Sequence, residues 1–342
     1  MSRFRSHRSQ PSRRRTAVKF AIALAAALIL VVGGYLVGNW LESRSYREER
    51  QQMSENFGLL PTVEYQGQTY MRRPEVTTML LMGVDQHMDD EPTGYRHGGR
   101  ADFLLLMALD HKNRKVYQLQ IDRDTMTEVP VVGVLGNEVG TREMQLCLAY
   151  NYGKDNEERC RHTVEAVQML LNNEPIELAY AIKLDGVAVL NQALGGIRLT
   201  IPEDLTVVDP AFVEGATLTL TDEQTEKLVR ARMTVGDGLN VSRMRRHRVF
   251  LEAVTKQLRR MLASDSDFAG RLFDSLEAIS SYTNVTRGRL INEANRAYKY
   301  DIQAVDTLPA EYRIGAQELM ECYVDKDAVT AWLIRTLYEP KN

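Results

Sequence analysis

The sequence predicts an α/β layered domain carried behind one N-terminal membrane-spanning helix. Residues 20–40 hold no charge, while residues 1–19 carry seven basic side chains and no acid. Short apolar runs bounded by turn residues recur between 77 and 121, and amphipathic helical stretches alternate with further strands from 158 onward. A helix needs roughly 20 apolar residues to cross a bilayer. Its basic flank stays cytoplasmic. The expected arrangement is therefore a cytoplasmic basic arm (1–19), a transmembrane helix (20–40) and an exported remainder, a single-pass protein of the cell membrane. A cleaved signal peptide is the competing reading. It requires a shorter apolar core and small residues at its end, where this chain has Tyr35, Leu36, Asn39 and Trp40.

The elements follow in order. Residues 41–76 read as a polar, helix-prone stalk and a poorly patterned entry into the domain. Residues 77–85 and 101–110 are apolar runs ending in aspartate, and 115–121 alternates apolar with polar; each fits a buried strand. A turn at 111–114 makes 101–110 and 115–121 a hairpin. Residues 158–172 form an amphipathic helix, 176–184 a strand, 185–194 a short helix stopped by Gly195 and Gly196, and 197–202 a strand. Thr221 and Gln224 have capping-box spacing and open a helix through about Arg232. A long helix covers 242–262. The region 263–342 reads as helical, with one short strand near 301–308 and a closing helix at 325–338. Strands interleaved with helices define the layered class.

Charge and cysteine usage narrow the function. The chain of 342 residues is formally −3; its first 40 residues contribute +7, so the remainder carries −10. An acidic exported part argues against nucleic-acid binding, which needs a basic footprint. The Arg-rich stretch 243–248, which taken alone suggests a DNA-binding regulator, lies on the external side of the span. The three cysteines Cys147, Cys160 and Cys322 have no zinc-ligand spacing and allow at most one bridge. Cys147–Cys160 and isolated buried thiols both stay open.

Basic side chains are nevertheless gathered at element ends. On the long helix, Phe250, Val254, Leu258 and Met261 form the apolar stripe. Stepping back 100° per residue brings Arg243 and His247 onto the same side, while Arg245 and Arg248 turn toward solvent. An inward arginine needs an anionic partner, either a neighbouring acid or a bound anion. Arg230 and Arg232 end the preceding helix, Arg123 stands between Asp122 and Asp124 at a strand end, and Arg100 precedes another strand. Arginine forks suit phosphate. Asp85 ends one strand and Asp102 begins the next, so antiparallel pairing brings them to one sheet edge. Two carboxylates beside phosphate-binding arginines suit Mg²⁺; as strand-end residues they also serve simply as turn formers.

The ordered segments LLMGVD, GGRAD, IDRDT, AYNYG, LDGVAVLNQALGGI and VRARMTVGDGLNVSRMRRHR, spread over about residues 77–257, resemble the LytR-CpsA-Psr family of bacterial cell-wall enzymes. The resemblance implies a central mixed β-sheet flanked by helices, with an apolar channel for a prenyl tail. Residues 77–257 would be the catalytic domain, and 258–342 its helical continuation. It implies a phosphotransferase that moves a glycopolymer, such as a teichoic acid or capsular polysaccharide, from a polyprenyl-pyrophosphate carrier to peptidoglycan through a phosphodiester. By motif position Asp85 and Asp102 resemble the Mg²⁺ ligands. Arg100, Arg123, Arg230, Arg232 and Arg243 resemble the pyrophosphate binders, with His247 standing where a glutamine is usual. Asp124 and Asp237 are candidates for deprotonating the acceptor hydroxyl. Gln145 replaces a phosphate-facing lysine, and Asp122 a common proline. A polyprenyl-pyrophosphate hydrolase and a non-catalytic wall-polymer-binding scaffold are the alternatives.

Overall fold

The computed structural model describes residues 61–87, 90, 94–232, 235, 240–316 and 318–341. The basic arm, the span at 20–40, most of the stalk and Asp237 lie outside the described residues. Among the described residues no helix is long and apolar enough to cross a membrane.

The chain enters through a hairpin of β1 (Thr62–Tyr65) and β2 (Gln68–Arg72). β3 (Val76–Val84), β4 (Ala101–Asp110) and β5 (Lys115–Ile121) follow as an antiparallel meander. β6 (Met126–Val132) and β7 (Glu138–Gln145) make a second hairpin, succeeded by a 3₁₀ turn at Leu146–Asn151 and helix α1 (Asn156–Leu170). Then come β8 (Leu178–Lys183), α2 (Gly186–Ala193), β9 (Arg198–Thr200), β10 (Thr217–Thr219), α3 (Asp222–Arg230) and α4 (Asn240–Ser264). The C-terminal part holds α5 (Phe268–Glu277), β11 (Ser280–Thr283), α6 (Arg287–Ala297), β12 (Asp301–Asp306), β13 (Ala310–Ile314), β14 (Met320–Val324), α7 (Lys326–Leu337) and β15 (Tyr338–Pro340).

Six strands form the central sheet in the order β11-β8-β3-β4-β5-β12. β3 runs parallel to β8, and β5 parallel to β12, while β4 and β11 run against them. The sheet is thus mixed, and the carboxyl ends of β3, β5, β8 and β12 share one edge. Ligands of open α/β sheets bind outside that edge.

One core lies on the sheet around Leu80, Leu104, Leu106, Leu119 and Ile121 and takes in Val329, Trp332 and Leu333 of α7. Burying each such leucine stabilises the fold by about 1.5–3 kcal/mol. Trp332 Nε1 also donates to Asp306 on β12 at 2.9 Å, tying the closing helix to the sheet. A second apolar cluster gathers Leu194, Ile197, Phe212, Leu228, Phe250 and Phe268 from the helical side. The capping box at Thr221 and Gln224 is formed in both directions.

Two expectations need correction. The region beyond 263 is not mainly helical, since β11, β13, β14 and β15 lie in it as well as the expected strand at β12. These strands are short and half exposed, so they carry little apolar pattern. Arg248 is not a solvent-facing residue; it is half-buried and lines a cavity of about 100 Å³ with Gln120, Asp122, Tyr312 and Cys322. All three cysteines are buried and free.

Candidate active site

Asp85 and Asp102 are brought to one edge by the antiparallel register of β3 and β4. Asp85 N–H donates to the Arg100 carbonyl at 2.8 Å. The register then slips: Gly83 faces Phe103 and Val84 faces Ala101, leaving Asp102 as the extra residue of a β-bulge. Bulges re-aim side chains beside functional sites. The Asp102 carboxylate meets two arginines from different elements. One oxygen accepts from Arg123 Nη1, and the other lies 3.2 Å from Arg243 Nη1.

Arg123 follows the end of β5 and its Nε also donates to Asp124 at 3.1 Å. Arg232 reaches the other oxygen of Asp124 at 3.5 Å. Arg243 sits in the first turn of α4, and its Nε and Nη2 donate to Asn240 Oδ1 at 2.9 and 2.7 Å. The amide of Asn240 in turn donates to Asp122 at 2.7 Å, and Asp122 accepts from Tyr312 O–H at 3.1 Å. Gln145 Nε2 donates to Asp124 at 3.2 Å and to the Met320 carbonyl at 2.7 Å. Three guanidinium groups and two carboxylates therefore interleave at the carboxyl edge of the sheet, braced by Asn240, Asp122 and Gln145.

The electrostatics follow from this crowding. Burial pushes the pKa of Arg243 down; Asp102 opposes the shift, while Arg123 and Arg232 add to it by like-charge repulsion. Burial likewise raises the Asp124 carboxyl, against the pull of Arg123 and Arg232. Asp124 Oδ2 and Arg232 Nε are both buried without a hydrogen bond among the described residues. A site that concentrates like charge in this way has the character of an anion receptor.

Not every expected residue joins the cluster. Arg100 stays at the sheet edge, half exposed, 3.8 Å from Asp85. Arg230 does not converge: it is the last residue of α3, its guanidinium faces solvent, and it pairs with Glu226 one turn back at 2.7 Å. His247 is buried, but its Nε2 lies 2.9 Å from the Val229 carbonyl and its ring packs edge-on against Phe103 at 5.5 Å. Burial pushes its pKa down to about 4, so the ring is neutral and ties α4 to α3 instead of offering charge to a ligand. Arg246, part of the Arg-x-x-Arg motif but given no role from the sequence, is buried against Glu203 at 2.7 Å and the Ala231 carbonyl. Asn240 was also missed; its position three residues before Arg243 at a helix start is the signal that points to it.

The fold, the cation cluster and the flanking carboxylates define a class: mixed-sheet α/β proteins with an anion receptor at the strand carboxyl edge. Residues 41–331 match the LytR_cpsA_psr family model, and the chain belongs to the LytR-CpsA-Psr family. It is similar to a polyisoprenyl-teichoic acid–peptidoglycan teichoic acid transferase TagU of Halalkalibacterium halodurans, 29% identical over 181 residues. That match covers 53% of this chain and 52% of the relative, so the alignment spans about half of that protein's length. The TagU of Bacillus cereus strain AH820 is 25% identical over 77% of this chain and 78% of its own. Among solved structures, protein gbs0355 of Streptococcus agalactiae superposes with a TM-score of 0.62 at 21% identity, covering 77% of this chain and 86% of its own. TagV of B. subtilis gives 0.57 at 21%, covering 76% and 94%. These structures share the fold.

Proposed function

We propose that this protein is a glycopolymer phosphotransferase working at the outer face of the cell membrane. It takes a polymer from a polyprenyl-pyrophosphate carrier and joins it to peptidoglycan through a phosphodiester. The observation that carries the reading is the convergence of Arg123, Arg232 and Arg243 around Asp102 and Asp124. Family membership and the names of the relatives support the transferase class.

In the proposed reaction the acceptor hydroxyl attacks the phosphorus that bears the polymer. A new P–O bond forms as the hydroxyl proton passes to solvent, the P–O–P bridge breaks, and prenyl phosphate departs with the electron pair. The energy resides in the pyrophosphate, which suits a compartment without ATP. The protein's share is positioning and charge stabilisation. Arg123, Arg232 and Arg243 hold phosphate oxygens, and Arg100 guards the edge beside Asp85. Asp124, gripped from both sides and buried, serves these arginines as an anchor. Asp85 and Asp102 fit a divalent ion: both are hard oxygen donors on one edge, with side chains 41% and 29% exposed. They would hold Mg²⁺, which when bound neutralises charge on the phosphate oxygens. Gln145 contributes an amide where a lysine is usual, which lowers the positive charge facing the substrate.

The test uses the full chain in detergent with a lipid-linked polymer, with and without peptidoglycan. Conjugate formation with peptidoglycan, lost in Arg123→Ala and in Arg243→Ala, is the expected result. Transfer retained in both variants refutes the assignment. Free phosphorylated polymer as the sole product identifies a hydrolase, and binding without turnover a scaffold.

A further inference from the structure

Outside the arginine cluster, the face of α1 turned toward β7 carries a second group of ionisable side chains. Glu158, Arg161, His162 and Glu165 recur at helical spacing on one side, which makes them neighbours. Glu138 of β7 meets them. Glu138, Glu158 and His162 each offer a ligand atom, and these atoms lie within 4.8 Å of one another.

His162 is fully buried, and its orientation is fixed. Its Nδ1 lies 2.9 Å from the Tyr152 carbonyl. A carbonyl only accepts, so Nδ1 carries the proton. The other nitrogen, Nε2, then aims into the carboxylates, 3.2 Å from Glu138 Oε1. A buried imidazole nitrogen and a half-buried carboxylate oxygen that face each other favour a cation beside them. Two ligands each about 2.1 Å from one metal ion, at angles between octahedral and tetrahedral, are separated by roughly 3.0–3.4 Å. The observed 3.2 Å lies within that range, and also at the long end of a hydrogen bond. A backbone carbonyl on the far ring nitrogen is also the usual support of a metal-bound imidazole.

One cationic group already reaches this point. Arg161 Nη2 lies 2.6 Å from Glu138, 3.2 Å from Glu158 and 3.5 Å from His162 Nε2. Its side chain is 38% exposed, so it has room to swing outward. We propose that Glu138, Glu158 and His162 bind one divalent transition-metal ion, of which Zn²⁺ is the type, in exchange with the Arg161 guanidinium. Two carboxylates are hard donors, and it is the borderline imidazole that favours zinc over magnesium. The ion fastens β7, and with it the β6–β7 hairpin, to α1.

The experiment uses the full chain in detergent, stripped with chelator, then titrated with Co²⁺ and Zn²⁺. The expected result is one Co²⁺ per chain with a visible d–d band, displaced by Zn²⁺ and untouched by millimolar Mg²⁺. Zn²⁺ at about a hundredfold excess over its dissociation constant should raise the melting temperature by roughly 5 °C. Glu158→Gln and His162→Gln should each weaken binding by at least about tenfold. Arg161→Gln should tighten it, because the internal competitor is gone. A folded Arg161→Gln protein that takes up neither metal overturns the proposal, as does uptake that survives Glu158→Gln but is lost in Asp85→Asn. If His162→Gln does not fold, Glu158→Gln decides.

Discussion

Replacing Asp102 by asparagine tests the architecture of the arginine cluster without touching an arginine. The Arg123 and Arg243 side chains are 6% and 7% exposed, and Asp102, at 29%, is the carboxylate they share. Asparagine keeps the shape but offers one acceptor and turns an N–H₂ toward the second guanidinium. Removing one partner of a fully buried pair costs about 3–5 kcal/mol. Asp102 is partly solvated, Arg123 keeps Asp124, and Arg243 keeps Asn240. Discounting for these, Asp102→Asn should cost roughly 2 kcal/mol. For a domain of about 280 residues that lowers the melting temperature by roughly 3–4 °C. The same change removes an internal competitor for anions, so inorganic pyrophosphate in chelator should bind the variant about tenfold tighter, a difference of about 1.4 kcal/mol. Differential scanning fluorimetry with and without pyrophosphate reads both effects. A variant that melts with the wild type and gains nothing from pyrophosphate would refute the view that these arginines form an anion receptor held by Asp102.

Arg230→Ala should keep transfer within about twofold of wild type, whereas Arg232→Ala should lose about a hundredfold, as expected for removing one oriented donor to developing charge; initial rates of polymer transfer separate them. His247→Gln keeps an N–H for the Val229 carbonyl but removes a buried ring whose pKa is held near 4 against an ordinary 6.5. The unfolded chain takes that proton first, so the ring's contribution is complete above about pH 6.5 and is lost as pH falls toward 4. The variant should match wild type at about pH 7.5 and be more stable by about 2 kcal/mol at about pH 5, a gap of ~1.5 pKa units, read from denaturation midpoints. The native protein should resist maleimide, since Cys147, Cys160 and Cys322 are buried and burial raises each thiol. Denaturant should expose three reactive thiols by mass, and reductant should leave the melting temperature unchanged.

The central meander was legible because 77–85 and 101–110 are continuous apolar runs, which bury on both faces, and 115–121 alternates. The β6–β7 hairpin was not: Pro130 interrupts its first strand, and Thr141, Arg142 and Glu143 of the second are exposed. The proximity of Asp85 and Asp102 followed from antiparallel pairing alone, but the bulge that turns Asp102 toward the arginines depends on packing around Gly83 and Phe103, which no residue spacing encodes. Arg230 and Arg232 show the limit most sharply. Both stand at a helix end, yet α3 stops at Arg230 and Ala231 turns to extended geometry (φ −52°, ψ 122°). That single residue sends Arg232 inward and leaves Arg230 on the surface. Helix ends are uncertain by one or two residues from sequence, and here that uncertainty decides which arginine reaches the cluster.

The two acids of the cluster differ in what they can do next. Asp124 is 1% exposed and gripped by Arg123 and Arg232, so it remains where it is. Asp102 stands on a bulge at the open edge, near Asp85, and on the proposed reading its hold on Arg123 and Arg243 is what an incoming pyrophosphate must replace. On the proposed reading, phosphate oxygens that take over these two guanidinium groups release Asp102 to share a divalent ion with Asp85. Anion and cation should then bind with positive coupling, and the coupling should be reciprocal. Magnesium should therefore tighten pyrophosphate binding to the wild-type protein by more than it does in Asp102→Asn, where the released ligand is missing. Titrations of both proteins in magnesium and in chelator supply the comparison, and the formation of magnesium pyrophosphate in solution cancels between them. Equal enhancement in the two proteins would mean that Asp102 is only a counterion for its arginines, and that any metal is held without it.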